Sequence, residues 1–303
     1  MSGLGLYALG CGGTPPALPG PESRIAADIK YLASPALGGR AAGSPGSTVA
    51  ARFLAGRYIE LGLAGAFAGK CAMLSCDPVY SQSFNVETGG ASNIAAVLPG
   101  SDPRLRGTWV VIGGHRDHIG QIAKYSRDPE RGMVTRPGAD DNASGTAAIL
   151  EVARRLAANP PQRSVLFVHF DAEEMGLMGS HKFVKESPIP LDSVVVMINL
   201  DMVGRLRKDE LTVDLPPNGE GFLGLIDSLA TARRLHLFVT GEFASRSDHG
   251  PFEAAMVPAF ALFTGLHGDY HTAMDLPVRV NTNGVLRVAD LVEQLARLAR
   301  PRL

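Results

Sequence analysis

The chain has 303 residues, of which 45 % are hydrophobic and 19 % charged, and its formal net charge is −1. This composition can support a sizeable core, which excludes global disorder. The near-neutral charge excludes the basic footprint of a nucleic-acid or anionic-membrane binder. No apolar run approaches the length of a transmembrane span.

Taken in chain order, residues 1–21 ("MSGLGLYALGCGGTPPALPGP") read as a Gly/Pro-rich flexible leader without Lys or Arg. The "ALGC" before "GG" loosely matches the end of a bacterial lipoprotein signal, which makes Cys11 a candidate lipid anchor. A disordered tail with a chance cysteine is the equal alternative, because the basic start is absent. Residues 22–303 are expected to form one domain. A helix over 22–34 places Ile25, Ile29 and Leu32 on one face, and a helix over 47–61 is expected to turn Val49, Phe53 and Leu61 inward. Cys71 and Cys76 make an even pair in a loop. A disulfide there would agree with an oxidising, extracytoplasmic location: periplasmic, cell-surface or secreted.

From "SNIAAVLPG" onward the pattern alternates. Strands "TWVVIGG", "SVLFVHF", "SVVVMINL", "HLFVTG" and "PAFALFTG" are separated by helices over 144–157, 176–186 and 220–233. A final helix over 283–299 carries the stripe Val285, Val288, Val292, Leu295 and Leu298. Continuous apolar strands between helices predict an α/β fold: a mostly parallel mixed sheet flanked by helices on both faces. No long linker interrupts the pattern.

The unusual polar residues fall at the ends of these strands. "WVVIGG" runs into His115-Arg116-Asp117-His118, and "VLFVHF" into Asp171-Ala172-Glu173-Glu174. "VVVMINL" runs into Asp201, and "AFALFTG" into a stretch with His267, Asp269 and His271. "PGADDNASG", with Asp140 and Asp141, precedes a helix. The carboxyl edge of a parallel sheet is where ligand sites form. Adjacent glutamates beside a core need a cationic partner, and His with carboxylates and no thiolate suits zinc. The set is too large for one tetrahedral ion and fits two ions sharing a carboxylate. Two dications bring four positive charges against three from Asp141, Glu174 and Asp201, a surplus that favours a bound hydroxide as nucleophile. One glutamate then coordinates metal while its neighbour moves protons.

These stretches resemble the M28 family of zinc peptidases. The matching motifs are "GGHRDHIG", "PGADDNASG", "FDAEEMGLMGS", "INLDMVGR", "SDHGPF" and "GDYHT", in order from about residue 22 to the end. The resemblance implies two Zn2+ ions per chain. His115 and Asp201 would hold one, Glu174 and His271 the other, and Asp141 would bridge them. It implies Glu173 as general acid/base, Asp117 as the group orienting the His115 imidazole, and Tyr270 as donor to the developing oxyanion. Arg116 departs from the aromatic or aliphatic residue common there and is expected to alter the rim charge. No protease-associated insert is visible between the first strands.

The implied function is a di-zinc exopeptidase acting on peptides, an aminopeptidase before a carboxypeptidase or dipeptidase. The related M20 family inserts a lid domain between its last two ligands, and only 70 positions separate Asp201 from His271. Glutaminyl cyclases, with one zinc and a tryptophan-lined pocket, rank lower because the sole tryptophan, Trp109, starts a strand. A non-catalytic peptide-binding homologue ranks last, since every ligand position is filled. His169 is expected in the core and His181 and His236 at the surface. His118, His249 and His267 are expected beside the site rather than on metal. Ser247-Asp248-His249 is rejected as a triad, because three consecutive residues cannot meet around one nucleophile. Side-chain preference and oligomeric state are not legible.

Overall fold

The computed structural model describes residues 20–67, 79–241 and 246–300. Cys11, Cys71 and Cys76 lie outside these residues. The β-branched and aromatic runs form the centre of the sheet. Trp109–His115 (β4), Ser164–Phe170 (β5), Val194–Leu200 (β6) and Ala259–Phe263 (β9) lie parallel in the order β5-β4-β6-β9. Every residue of β5 and β6 is buried, as expected for strands covered on both faces.

The edges of the sheet depart from this pattern. Gly89–Leu98 (β3) runs antiparallel to β5, and on its far side it pairs antiparallel with Ala64–Gly65 (β1) and Ser81–Val86 (β2). Glu210–Asp214 (β7) runs antiparallel to β9 and parallel to His236–Thr240 (β8). Strands β1, β2 and β7 have no counterpart in the apolar pattern: they are short or polar-interrupted and are made stable by their neighbours rather than by an apolar run. The parallel arrangement therefore belongs to the centre, and the sheet as a whole is mixed.

Helices cover both faces. Pro21–Leu32 (α1), Pro45–Glu60 (α2), Gly145–Ala158 (α3), Leu223–Thr231 (α5) and Thr282–Leu298 (α7) share the larger core cluster. Met178–Lys185 (α4) and His249–Ala254 (α6) contact each other on the opposite face, over a smaller cluster around Phe170, Phe183 and Phe252. In α1, Ile25, Ile29 and Leu32 are buried as expected, and in α7 so are Val285, Val288, Val292 and Leu295, whereas Leu298 is exposed. The inward face of α2 differs from expectation. Val49 is exposed and Phe53 and Leu61 are half-buried, while Ala50, Ala51, Leu54 and Tyr58 face the core. Small alanines bring the helix close to β3, and the Tyr58 hydroxyl meets His169 Nε2 at 2.8 Å. No helix among the described residues is long and apolar enough to cross a membrane.

Candidate metal centre

Each chemically active side chain sits at the last residue of a central strand, within four residues beyond one, or in a loop locked against one. β4 ends in His115. Its Nδ1 faces the main-chain oxygen of Asp117 at 3.2 Å, which leaves Nε2 directed at Asp201 Oδ1 (3.2 Å) and Asp141 Oδ1 (3.4 Å). β5 leads through Asp171 and a left-handed Ala172 (φ 59°) into Glu173 and Glu174. β6 delivers Asp201, whose Oδ2 accepts from the Ser247 hydroxyl at 2.7 Å. The loop after β9 delivers His271, whose Nδ1–H donates to the Tyr125 carbonyl at 2.9 Å. His271 also has left-handed backbone (φ 57°), a strain of about 1–3 kcal/mol. The main-chain bond from Arg127 N to His271 O (2.9 Å) helps hold it there.

Asp141 lies in the turn Ala139–Ser144, just ahead of α3, and its peptide bond to Asn142 is cis. Asn142 caps and tethers this turn: its Oδ1 accepts from Gly145 N and Met202 N, and its Nδ2 donates to Leu200 O. Asp275, which the sequence reading passed over, accepts from both Asp140 N (2.9 Å) and Asp141 N (3.0 Å) through Oδ2. Its Oδ1 accepts from Arg205 at 2.9 Å. The only sequence signal for Asp275 is an Asp four residues after His271, and nothing in that spacing shows that it reaches back more than a hundred residues.

The carboxyl and imidazole atoms fall into two groups, each within 4.8 Å. One joins His118, Asp141, Glu174 and His271, and the other joins His115, Glu173 and Asp201. His271 Nε2 lies 3.0 Å from Glu174 Oε2 and 3.1 Å from Asp141 Oδ2, yet it makes no hydrogen bond of acceptable geometry. These atoms converge on a point between them. Ligand atoms around a tetrahedral zinc at 2.0–2.2 Å stand about 3.3 Å apart, close to the observed separations. Both imidazoles commit Nδ1 to a carbonyl and present Nε2, the usual arrangement of a metal-binding histidine. The residues present thus fit divalent metal binding, with all five expected ligands brought together and Asp141 Oδ1 reaching from its own group to within 3.4 Å of His115 Nε2.

Asp117 departs from expectation in one respect. Its carboxylate lies 3.8 Å from His115 Nδ1, which is served by its carbonyl instead. The carboxylate accepts from Glu173 N (3.1 Å) and Glu174 N (3.4 Å), so it positions the glutamate pair. Arg116 also differs: it is buried, points away from the rim, and donates to Asp171 (2.6 Å), Ser47 O and Ser92 O. It therefore ties α2 and β3 to the β5 end and adds no charge to the opening.

Electrostatics follow from this crowding. Burial pushes the Glu173 carboxyl well above the ordinary range, with Glu174 and Asp201 adding to the push against the charge of His115. Burial acts the same way on Glu174, but His118 and His271 outweigh it and hold that carboxylate low. Two adjacent carboxyls with opposite tendencies suit a proton carrier and a ligand. Tyr270 stacks on His271, ring centroids 3.9 Å apart, and burial pushes its hydroxyl above the ordinary phenol range. Tyr270 and Asp201 border a cavity of about 270 Å3 whose walls include Met202, Phe263 and Leu266.

The remaining histidines divide as expected, with one exception. His169 is core, and His181 and His236 are exposed. His267 pairs with Asp140 (3.1 Å) and His249 with Asp214 (2.9 Å). Ser247 turns to Asp201 and His249 to Asp214, so no triad forms. His118 is the exception, as it joins the ligand cluster.

A mixed α/β sheet with two such clusters at its carboxyl edge defines a chain of zinc-exopeptidase architecture. Solved structures share the fold. A Zn-dependent exopeptidase from Parabacteroides distasonis aligns with TM-score 0.72 at 17 % identity, over 91 % of this chain and 98 % of that one. A glutaminyl cyclase from Bacteroides thetaiotaomicron aligns with TM-score 0.71 at 18 % identity, over 92 % and 98 %. The model of peptidase family M28 matches residues 93–296, and the chain belongs to that family. Aminopeptidase YwaD of Bacillus subtilis (strain 168) is 31 % identical over 187 residues, 59 % of this chain and 40 % of that protein. The chain thus spans well under half of that relative's length.

Proposed function

We propose that this chain is a two-zinc aminopeptidase that removes residues from peptides with an unblocked N-terminus. The observation that carries the reading is the pair of clusters joined where Asp141 of one lies 3.4 Å from His115 of the other, with Glu173 inside one of them and a cavity bordered by Asp201 and Tyr270 beside it. His115 and Asp201 would hold one ion, Glu174 and His271 the other, with Asp141 between. Zinc bound there would acidify a water and polarise the scissile carbonyl.

The chain's own groups supply the rest. Glu173 accepts the proton of the attacking water and returns it to the leaving amine. Asp117 holds the Glu173 and Glu174 backbone amides, so both carboxyls keep their separate stations. The Tyr270 hydroxyl donates to the carbonyl oxygen as negative charge grows on it. The N-terminal side chain of the substrate would enter the cavity, against Met202, Phe263 and Leu266. The name of the Bacillus subtilis relative supports amino-terminal trimming.

The test is a panel of aminoacyl chromogenic substrates, unblocked and N-blocked, assayed before chelation, after it, and with zinc restored. Zinc-dependent cleavage of the unblocked set alone is the expected result. Equal cleavage of blocked substrates would sink the aminopeptidase reading while leaving the metal site. Cyclisation of N-terminal glutamine without hydrolysis would favour the cyclase instead.

A further inference from the structure

His118 was expected beside the site, and the structure puts it inside. Its Nδ1 lies 2.8 Å from Glu174 Oε1 and 3.5 Å from Asp141 Oδ2. Those two carboxylates are the ones His271 Nε2 approaches from the other side, at 3.0 and 3.1 Å. Five ligand-type atoms from four residues, both Glu174 oxygens among them, thus surround one point, at separations scattered around the roughly 3.3 Å edge of a tetrahedral zinc site. The His118 and His271 rings stand edge to face, centroids 5.4 Å apart at 79°, so both nitrogens point inward without ring overlap. His118 is buried and cannot swing aside. Gly138, at φ 58°, packs so closely that an added Cβ would fall 2.5 Å from the His118 ring.

Resting on the two-ion reading above, we propose that His118 is a further protein ligand of the Glu174–His271 ion, bound through Nδ1. The two ions are then unequal. The second has four protein donors, Asp141, Glu174, His271 and His118, and is nearly closed. The first has three, His115, Asp141 and Asp201, and keeps an open position facing Glu173. A closed site anchors its metal, and an open one serves chemistry. The tighter ion is accordingly the one farther from the base.

Two measurements test this. The unmodified protein, 15N-labelled at histidine and loaded with 113Cd, should show two cadmium resonances. One should couple to a single imidazole nitrogen and the other to two, one of which is an Nδ1. Two resonances that each couple to one Nε2 would overturn the proposal and leave the two-ion reading intact; fewer than two bound ions would overturn both. Zinc titration against a competing chelator then separates coordination from hydrogen bonding. His118→Asn keeps an amide donor near the Nδ1 position but loses the imidazole. Its second ion should bind more than about 100-fold more weakly, beyond the roughly 10–100-fold that loss of a mere hydrogen-bond partner of a ligand costs, with the first ion within about 3-fold of wild type. Wild-type affinity for both ions in His118→Asn would mean that His118 only donates to Glu174, and the proposal would fail.

Discussion

Asp141, Glu173, Glu174 and Asp201 share one small space with three imidazoles, and they drive two of these, His115 and His271, toward the protonated form. Burial acts to lower the His271 imidazole, but Asp141 and Glu174 outweigh it and push it up to about 11. His115 is likewise driven well above its ordinary value against burial, by Glu173, Asp201 and Asp141. Without metal these imidazolium ions balance the carboxylates. Their contribution to stability is complete below the unfolded value of about 6.5 and is lost only as pH rises through the folded value. Zinc needs neutral imidazoles, so filling both positions near pH 7 must release about two protons, one per ion, and each ion's affinity should climb about tenfold per pH unit there. Calorimetry in buffers of different ionisation enthalpy checks this; binding without proton release would refute it.

Two single substitutions follow at the same scale. Glu173→Gln removes the proton carrier and keeps the shape, so turnover should drop about 10²–10⁴-fold while zinc content stays constant. Asp275→Ala removes the acceptor of two turn amides and one of the two carboxylates that neutralise buried Arg205. A cost of about 3–5 kcal/mol in denaturant unfolding is expected, and a cost below 1 kcal/mol would show the turn holds itself.

Among the elements, β5 carries a titratable group in its interior. His169 is fully buried against Tyr58, and burial, reinforced by the Arg116 charge, pulls its imidazole down to about 3. The unfolded chain binds a proton there near 6.5 and the folded chain does not. Stability from this residue is therefore complete above about 6.5 and falls as pH drops toward 3, by a few kcal/mol in all. His169→Gln can keep the contact to Tyr58 and cannot titrate, so its stability should change less between pH 6.5 and 4 than that of wild type. Parallel curves for the two proteins would exclude His169 as a source of acid sensitivity.

At the scale of the molecule, the ligands come from β4, the turn before α3, β5, β6 and the loop after β9, so the ions would join segments from residue 115 to residue 271. Unfolding separates them, and metal that binds only the folded chain stabilises it by about 1.4 kcal/mol per ion for each tenfold of zinc above its dissociation constant. The melting temperature should rise with zinc concentration and fall on chelation. A melting temperature indifferent to both would mean the sheet does not depend on its ions.

Periodicity and motif order were enough to read the alternating strands and helices and the carboxyl-edge placement of the polar residues; the five expected ligands came from the resemblance to the M28 family, and the structure brings those side chains together. Those signals are local: apolar runs mark buried strands, and adjacent Glu173 and Glu174 demand a cation whatever lies around them. The antiparallel edge strands, the inward face of α2, the burial of Arg116, the hold of Asp275 on the Asp141 turn and the entry of His118 into the cluster were decided only by the tertiary structure. Each depends on partners far along the chain, and the side that a polar residue turns toward is chosen by the charge and space it meets after folding, which no local spacing encodes.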